Sequence, residues 1–248
     1  MHKGFRSCKF GLMERAKRAF PAAACLLVVA TGLILAKKFW EKPYTEWKRK
    51  EVLKILNDSP WAGQITSTRQ YGGRNTRGVT GEREIYDTTT IRFFSALPVR
   101  EAYVRMMQLM NRYDELGEQE KQALDRRFSA PLRLDVSNQI IIAVEFSSND
   151  RQLGMQIDRT LRTATAKLLQ QKAYLISDRL ERVQLKAYFP PSPDGTGAKF
   201  IFPRQVEGEP VVSKEDKEVT FELYLPDIPK IYMRKKVKNL FYKGKLEI

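Results

Sequence analysis

The stretch that decides the fold runs from Gly63 to Ala96: GQITSTRQ (63–70), YGGRNTRGVT (71–80) and GEREIYDTTTIRFFSA (81–96). The outer pieces are rich in Thr, Ile, Tyr and Phe, which suit a pleated, half-buried surface, and neither contains proline. Between them, Gly72, Gly73 and Gly78 supply the conformational freedom a reversal needs. Two strands joined by a glycine-rich turn form a hairpin, and a hairpin forms an antiparallel sheet. A parallel βαβ unit would need a helical crossover at this point, and the sequence has no room for one.

Downstream of the hairpin, Pro98 opens a helix to about Asp114, with Val99, Ala102, Met106, Leu109 or Met110, and Tyr113 at three-to-four spacing. Residues 118–128 continue as a charged helix stopped by Pro131. LRLDVSNQIIIAVEFSS (132–148) is the most apolar strand candidate and belongs near the middle of a sheet. Asn149-Asp150 can cap a helix whose Leu153, Ile157, Leu161, Ala164 and Leu168 share one face. Further strands are expected at 173–176, 183–189, 199–203 and 218–225, separated by PPSPDGTG (190–197) and VEGEPVVSKEDK (206–217). Strands outnumber helices and are joined mostly by turns. The expected class is α+β, a largely antiparallel sheet with three to four helices packed on it.

Upstream, YTEWKRKEVLKILN (44–57) reads as a short amphipathic helix presenting Trp47, Val52, Leu53, Ile55 and Leu56, and ended by Asp58-Ser59-Pro60. Before it, PAAACLLVVATGLILA (21–36) is shorter than an ordinary membrane span but suits a signal-peptide core, and basic residues precede it. A signal peptide cleaved near Ala36 and a retained anchor both fit, and Met13 offers a second start for the leader. The expected organisation is a signal or anchor over 1–36, an amphipathic helix segment over 37–61, and one α+β domain over 62–248.

The net charge of +15 is unevenly placed. Residues 1–36 carry +5, residues 37–51 carry +3, the tail 230–248 carries +6, and everything between carries +1. A nearly neutral body between basic ends is not the charge pattern of a nucleic-acid-binding domain, so nucleic acid is not an expected partner. The only histidine is His2, and the only cysteines are Cys8 and Cys25. The chain after residue 25 therefore lacks the groups for Ser-His-Asp or Cys-His catalysis, His-Cys zinc sites and disulfides. No catalytic residue, metal or cofactor is assigned.

Several residues remain as candidates. Gly73 to Thr80 approaches a phosphate loop, but Val79 stands where its lysine should be and a strand follows instead of a helix. Arg74 and Arg77 are left as possible anion contacts at a hairpin tip. Lys235, Lys236 and Lys238 sit in a tail that interleaves lysines with Tyr232, Phe241 and Tyr242. These basic ends could meet anionic lipid or a cell-wall polymer, or they could be outward lysines on closing strands. Trp40 and Trp47, with Lys37 and Lys38, suit a membrane interface. Together with Trp61 the same tryptophans would also clamp the early helix onto the body. Without histidine, hydrolysis would fall to carboxylates, with Glu82, Glu84, Asp87, Glu145, Asp150 and Asp158 nearest to element ends.

KPYTEWKRKEVLKILNDSPWA (42–62), with Ser59-Pro60-Trp61, and VKNLFYKGKLEI (237–248), with Gly244-Lys245-Leu246-Glu247, resemble the two ends of a family of uncharacterised bacterial exported proteins. The resemblance implies export and an ordered chain to the last residue, and brings no activity or site residue with it. The leading expectation is an exported cell-envelope protein with a non-enzymatic structural or binding role. The alternative is a carboxylate-dependent hydrolase of envelope glycan.

Overall fold

The hairpin forms where its sequence places it. β1 (Ala62–Arg74) and β2 (Thr80–Phe93) pair antiparallel from Ala62↔Arg92 to Arg74↔Thr80. The computed structural model describes residues 38–74, 80–193, 195–226 and 230–248, and Phe39–Ile248 make up one unit. β3 (Gln139–Ser148) pairs with the second half of β2, β7 (Ala198–Pro203) with β3, and β6 (Ala187–Phe189) with β7. The order β1-β2-β3-β7-β6 puts apolar β3 at the centre.

A second sheet has the order β11-β10-β4-β5, from β4 (Ala173–Ser177), β5 (Val183–Gln184), β10 (Glu218–Leu223) and β11 (Ile231–Lys236). Two small ribbons complete the strands: β8 (Gln205–Val206) with β9 (Glu209–Pro210), and β12 (Phe241–Tyr242) with β13 (Lys245–Leu246). All pairings between these strands are antiparallel. The described helices are α1 (Arg49–Asn57), α2 (Leu97–Met110), α3 (Glu118–Phe128), α4 (Arg151–Thr163) and the single-turn α5 (Ala166–Leu169). The class is α+β.

Residues paired across antiparallel strands share a face of the sheet. Phe93, Ile140, Ile142, Phe200 and Phe202 therefore point one way, and the rings of Phe200 and Phe202 meet Phe221 of the second sheet at 5.6 and 6.1 Å. The opposite face carries Arg92, Ala143 and Lys199 in one cross-strand row, and Ile141 with Ile201 in the next. At the β2 end of that face Arg92 is buried. It donates to the Leu56 carbonyl (2.6 Å), the Tyr103 hydroxyl (3.1 Å), Asn57 Oδ1 (3.2 Å) and Glu145 Oε2 (2.8 Å), so α1 and α2 are tied down through one guanidinium.

Four local expectations change. The segment 132–148 is a strand only from Gln139. Ala130–Arg133 is a 3-10 turn, and Asp135 accepts the Ser137 N–H in a side-chain turn that delays the strand. The helix expected over 44–57 starts at Arg49, after a separate 3-10 turn at Tyr44–Glu46, and its Leu53 faces solvent. The helix beginning at 151 stops at Thr163, and Thr165 caps a new turn by accepting the Leu168 N–H. That restart shifts the phase: Leu168 is 52% exposed and its neighbour Leu169 is buried. Finally, 183–189 is split, with β5 in one sheet and β6 in the other.

Candidate functional site

The exposed half of the second sheet face becomes a groove. Gln139 and Ile141 of β3, Lys199 and Ile201 of β7, and Phe189 of β6 all face it, because each is an alternate residue on its strand. Ile141 is paired with Ile201, and Lys199 with Phe189. Phe94 and the Ala130–Leu134 turn form one wall, while Pro190 and Ser192 form the other. The cavity is about 620 Å³, inside the range of roughly 300–1,000 Å³ usual for small-molecule sites.

Both walls are held by arginines through main-chain oxygens. Arg100 of α2, itself buried, donates Nη1 to the carbonyls of Pro131 (3.2 Å), Leu134 (3.4 Å) and Leu132 (3.5 Å). Burial lowers its pKa below the ordinary arginine value, with Glu247 and Glu101 opposing that effect. Arg162 of α4 donates to the Pro191 carbonyl at 3.2 Å, and the Tyr188 hydroxyl ties β6 to the Leu161 carbonyl at 2.6 Å. Burial pushes the Tyr188 pKa well up. Both walls of the groove are thus tethered to neighbouring helices.

Among the described residues, Lys199 is the only charged side chain lining it. Its ammonium lies 2.5 Å from Thr196 Oγ1 and 5.6 Å from the centre of the Phe94 ring. The loop that delivers Thr196 is fixed by Gly197, at φ +78°, where a methyl group would collide with the Val144 carbonyl. No known protein family, curated protein or solved structure matches this chain. The groove has therefore to be understood from its own chemistry, which among the described residues is an apolar trough lined by one lysine.

The residues singled out from the sequence do not gather there. Arg77 and Lys37 lie outside the described residues, and Arg74 closes β1. Lys38 is exposed. Trp40 packs partly buried against Trp61 at 5.7 Å, and Trp47 is wholly buried with Nε1 donating to the Lys42 carbonyl at 3.3 Å. The membrane-interface reading of Trp47 is corrected: an indole without exposed surface has nothing to offer a headgroup zone. It clamps α1, as the alternative reading had it.

Lys235 is also corrected, because it is an internal tether. Its ammonium donates to the carbonyls of Ala62 (2.6 Å) and Ser59 (2.8 Å), and burial lowers its pKa. Lys236 and Lys238 line a separate pocket of about 460 Å³ with Lys217, but Asp178, Asp216 and Glu218 line it too. That mixture is a balanced surface, not a cationic site.

Of the carboxylate candidates, Glu145 and Asp158 line one cleft of about 190 Å³ beside Arg162 and the 191–197 loop. Each already has an arginine partner: Glu145 accepts from Arg92 at 2.8 Å and Asp158 from Arg162 at 2.7 Å. Asp87 accepts from Arg69 and Ser148, Asp150 caps α4, and Glu84 accepts the Tyr86 hydroxyl. Among the described residues no three metal-binding side chains converge, and no helix is long and apolar enough to cross a membrane.

The groove residues were missed because sequence reading treats apolar strand residues as core. The available signal was IIIAV (140–144), apolar on both alternating faces, together with the single lysine in AKFIF (198–202).

Proposed function

We propose that this protein is an exported component of the cell envelope that works by binding an apolar ligand in the groove over Ile141 and Ile201. The leader-like N-terminus and the resemblance of both ends to exported proteins support the location. The observation that carries the binding role is the apolar trough, with both walls fixed through main-chain carbonyls. The test is titration of the full chain with a neutral apolar dye whose fluorescence rises on burial. Saturable binding to the native chain, lost in Phe189→Asp, is expected; Phe189 is 57% exposed, so folding should survive. Equal dye binding by the variant would reject the groove.

A second reading, a carboxylate-dependent hydrolase of envelope glycan, draws on Glu145 and Asp158 in a common cleft. Both carboxylates serve arginines that also hold structure, which favours the binding reading. Product release from purified glycan that disappears in Asp158→Asn would reverse that preference.

A further inference from the structure

We infer that the outer edge of β1 pairs with a second copy of this chain, the two β1 strands lying antiparallel about a two-fold axis at Ser67. β1 ends the order β1-β2-β3-β7-β6, so β2 takes one side of it and, among the described residues, no strand takes the other. The Phe93 N–H donates to the Trp61 carbonyl, which puts the odd-numbered residues of β1 in hydrogen-bonded pairs with β2. The even-numbered residues therefore turn their N–H and C=O groups outward. Ala62 uses both of its groups on Ser59, through bonds of 3.2 and 3.3 Å, so the open edge begins at Gln64. Other strand edges carry protection. β6 is three residues long and runs into Pro190, β5 is two residues long, and β11 carries Arg234, Lys235 and Lys236. From Gln64 to Gln70 β1 has neither proline nor lysine, and all but Ser67 are exposed.

The edge suits a copy of itself. Gln64-Ile65-Thr66-Ser67-Thr68-Arg69-Gln70 reads nearly the same in both directions about Ser67. Pairing on that centre sets Gln64 opposite the partner's Gln70 and Thr66 opposite the partner's Thr68. These are hydrogen-bonded pairs, so every outward N–H and C=O from Gln64 to Gln70 is used, and threonine faces threonine. Gln64 and Thr66 are already oriented by side-chain bonds to Thr90 (3.1 Å) and Thr88 (3.3 Å) of β2. Arg69 is the one charge in the run, and Asp87 balances it through bonds of 2.6 and 3.0 Å, leaving its stem to meet the partner's Ile65. A centre at Thr66 would set Gln70 against Ala62, whose groups are taken. A centre at Arg69 would set two guanidiniums face to face. The contact is isologous and closes at two copies.

The test is disulfide capture in the full chain with Cys8→Ser and Cys25→Ser. Opposed residues of a non-hydrogen-bonded pair have Cα atoms about 4.5 Å apart, so Ser67→Cys should link to its own copy on mild oxidation. Thr66→Cys sits two residues off register from its own copy, beyond disulfide reach, and should link about tenfold more slowly. Thr66→Pro removes an outward N–H and none that bonds β2, so adding it to Ser67→Cys should abolish the link while circular dichroism stays native. Thr66→Lys should abolish it too, and serves if the proline variant fails to fold. One strand pair is a small contact, so sedimentation of the cysteine-free chain should show dimer growing between roughly 5 and 300 µM, and Thr66→Lys should stay monomeric. Equal linking at 66 and 67 overturns the register. Dimer persisting in Thr66→Lys overturns the edge. A chain monomeric throughout overturns self-pairing, including the case in which β1 takes a foreign strand instead.

Discussion

Arg92 and Gly197 show how single residues constrain this molecule. Arg92 is 5% exposed and its guanidinium serves α1, α2 and β3 at once. Replacing it with methionine keeps the volume and strands the Leu56 carbonyl, so Arg92→Met should lower unfolding free energy by about 2–4 kcal/mol in urea titrations. At Gly197 the backbone is left-handed and the space is taken by the Val144 carbonyl. Gly197→Ala should cost about 2 kcal/mol or more and displace the loop carrying Thr196. The same variant should therefore weaken ligand binding in the groove, whereas Gly195, left-handed but with open space around it, should show only the conformational cost.

Among the elements, those with a strong local signal were the legible ones. The β1–β2 hairpin, α2, α3, β4 and β10 lie within a few residues of where periodicity and turn chemistry put them. Less legible were places where a short polar interaction interrupts a longer apolar pattern: the Asp135 turn before β3, and the Thr165 cap between α4 and α5. The division of 183–189 between two sheets was invisible because its alternation is continuous and only tertiary pairing separates the halves. β11 carries a prediction at this scale. Lys235 ties it to residues 59–62, while Lys236 lies outside on the same strand. Lys235→Met should cost about 1–3 kcal/mol, and Lys236→Gln within about 0.5 kcal/mol of nothing, in paired denaturation curves.

For the whole molecule, phenols that are partly or wholly buried weaken stability on the alkaline side. Burial and the bond to Asp125 push Tyr113 up to about 12, and Tyr188 and Tyr242 are raised further, in each case chiefly by burial. In the unfolded chain a tyrosine releases its proton near 10. Above that pH the folded chain binds more protons than the unfolded one, so stability falls as pH rises from about 10 to 12. Urea midpoints measured across this window should decline, and Tyr113→Phe should make the decline shallower. The charge count belongs to the same scale: basic ends were visible in sequence, but their meaning was not. Lys235 faces inward, and Lys236 and Lys238 share their pocket with three acids, which only the fold brings there.

Trp61 donates its indole N–H to the Leu240 carbonyl and stacks edge-on with Tyr242 at 5.9 Å, and the Leu97 N–H is received by Glu247. Early and late parts of the chain thus share one core. During synthesis this sets a clock: the pocket for Trp61 is missing a wall until residues near 240 have been made. Non-local closure of this kind is slow and comes last. The order of synthesis therefore leaves the Trp61 indole without its hydrogen-bond acceptor until Leu240 is made.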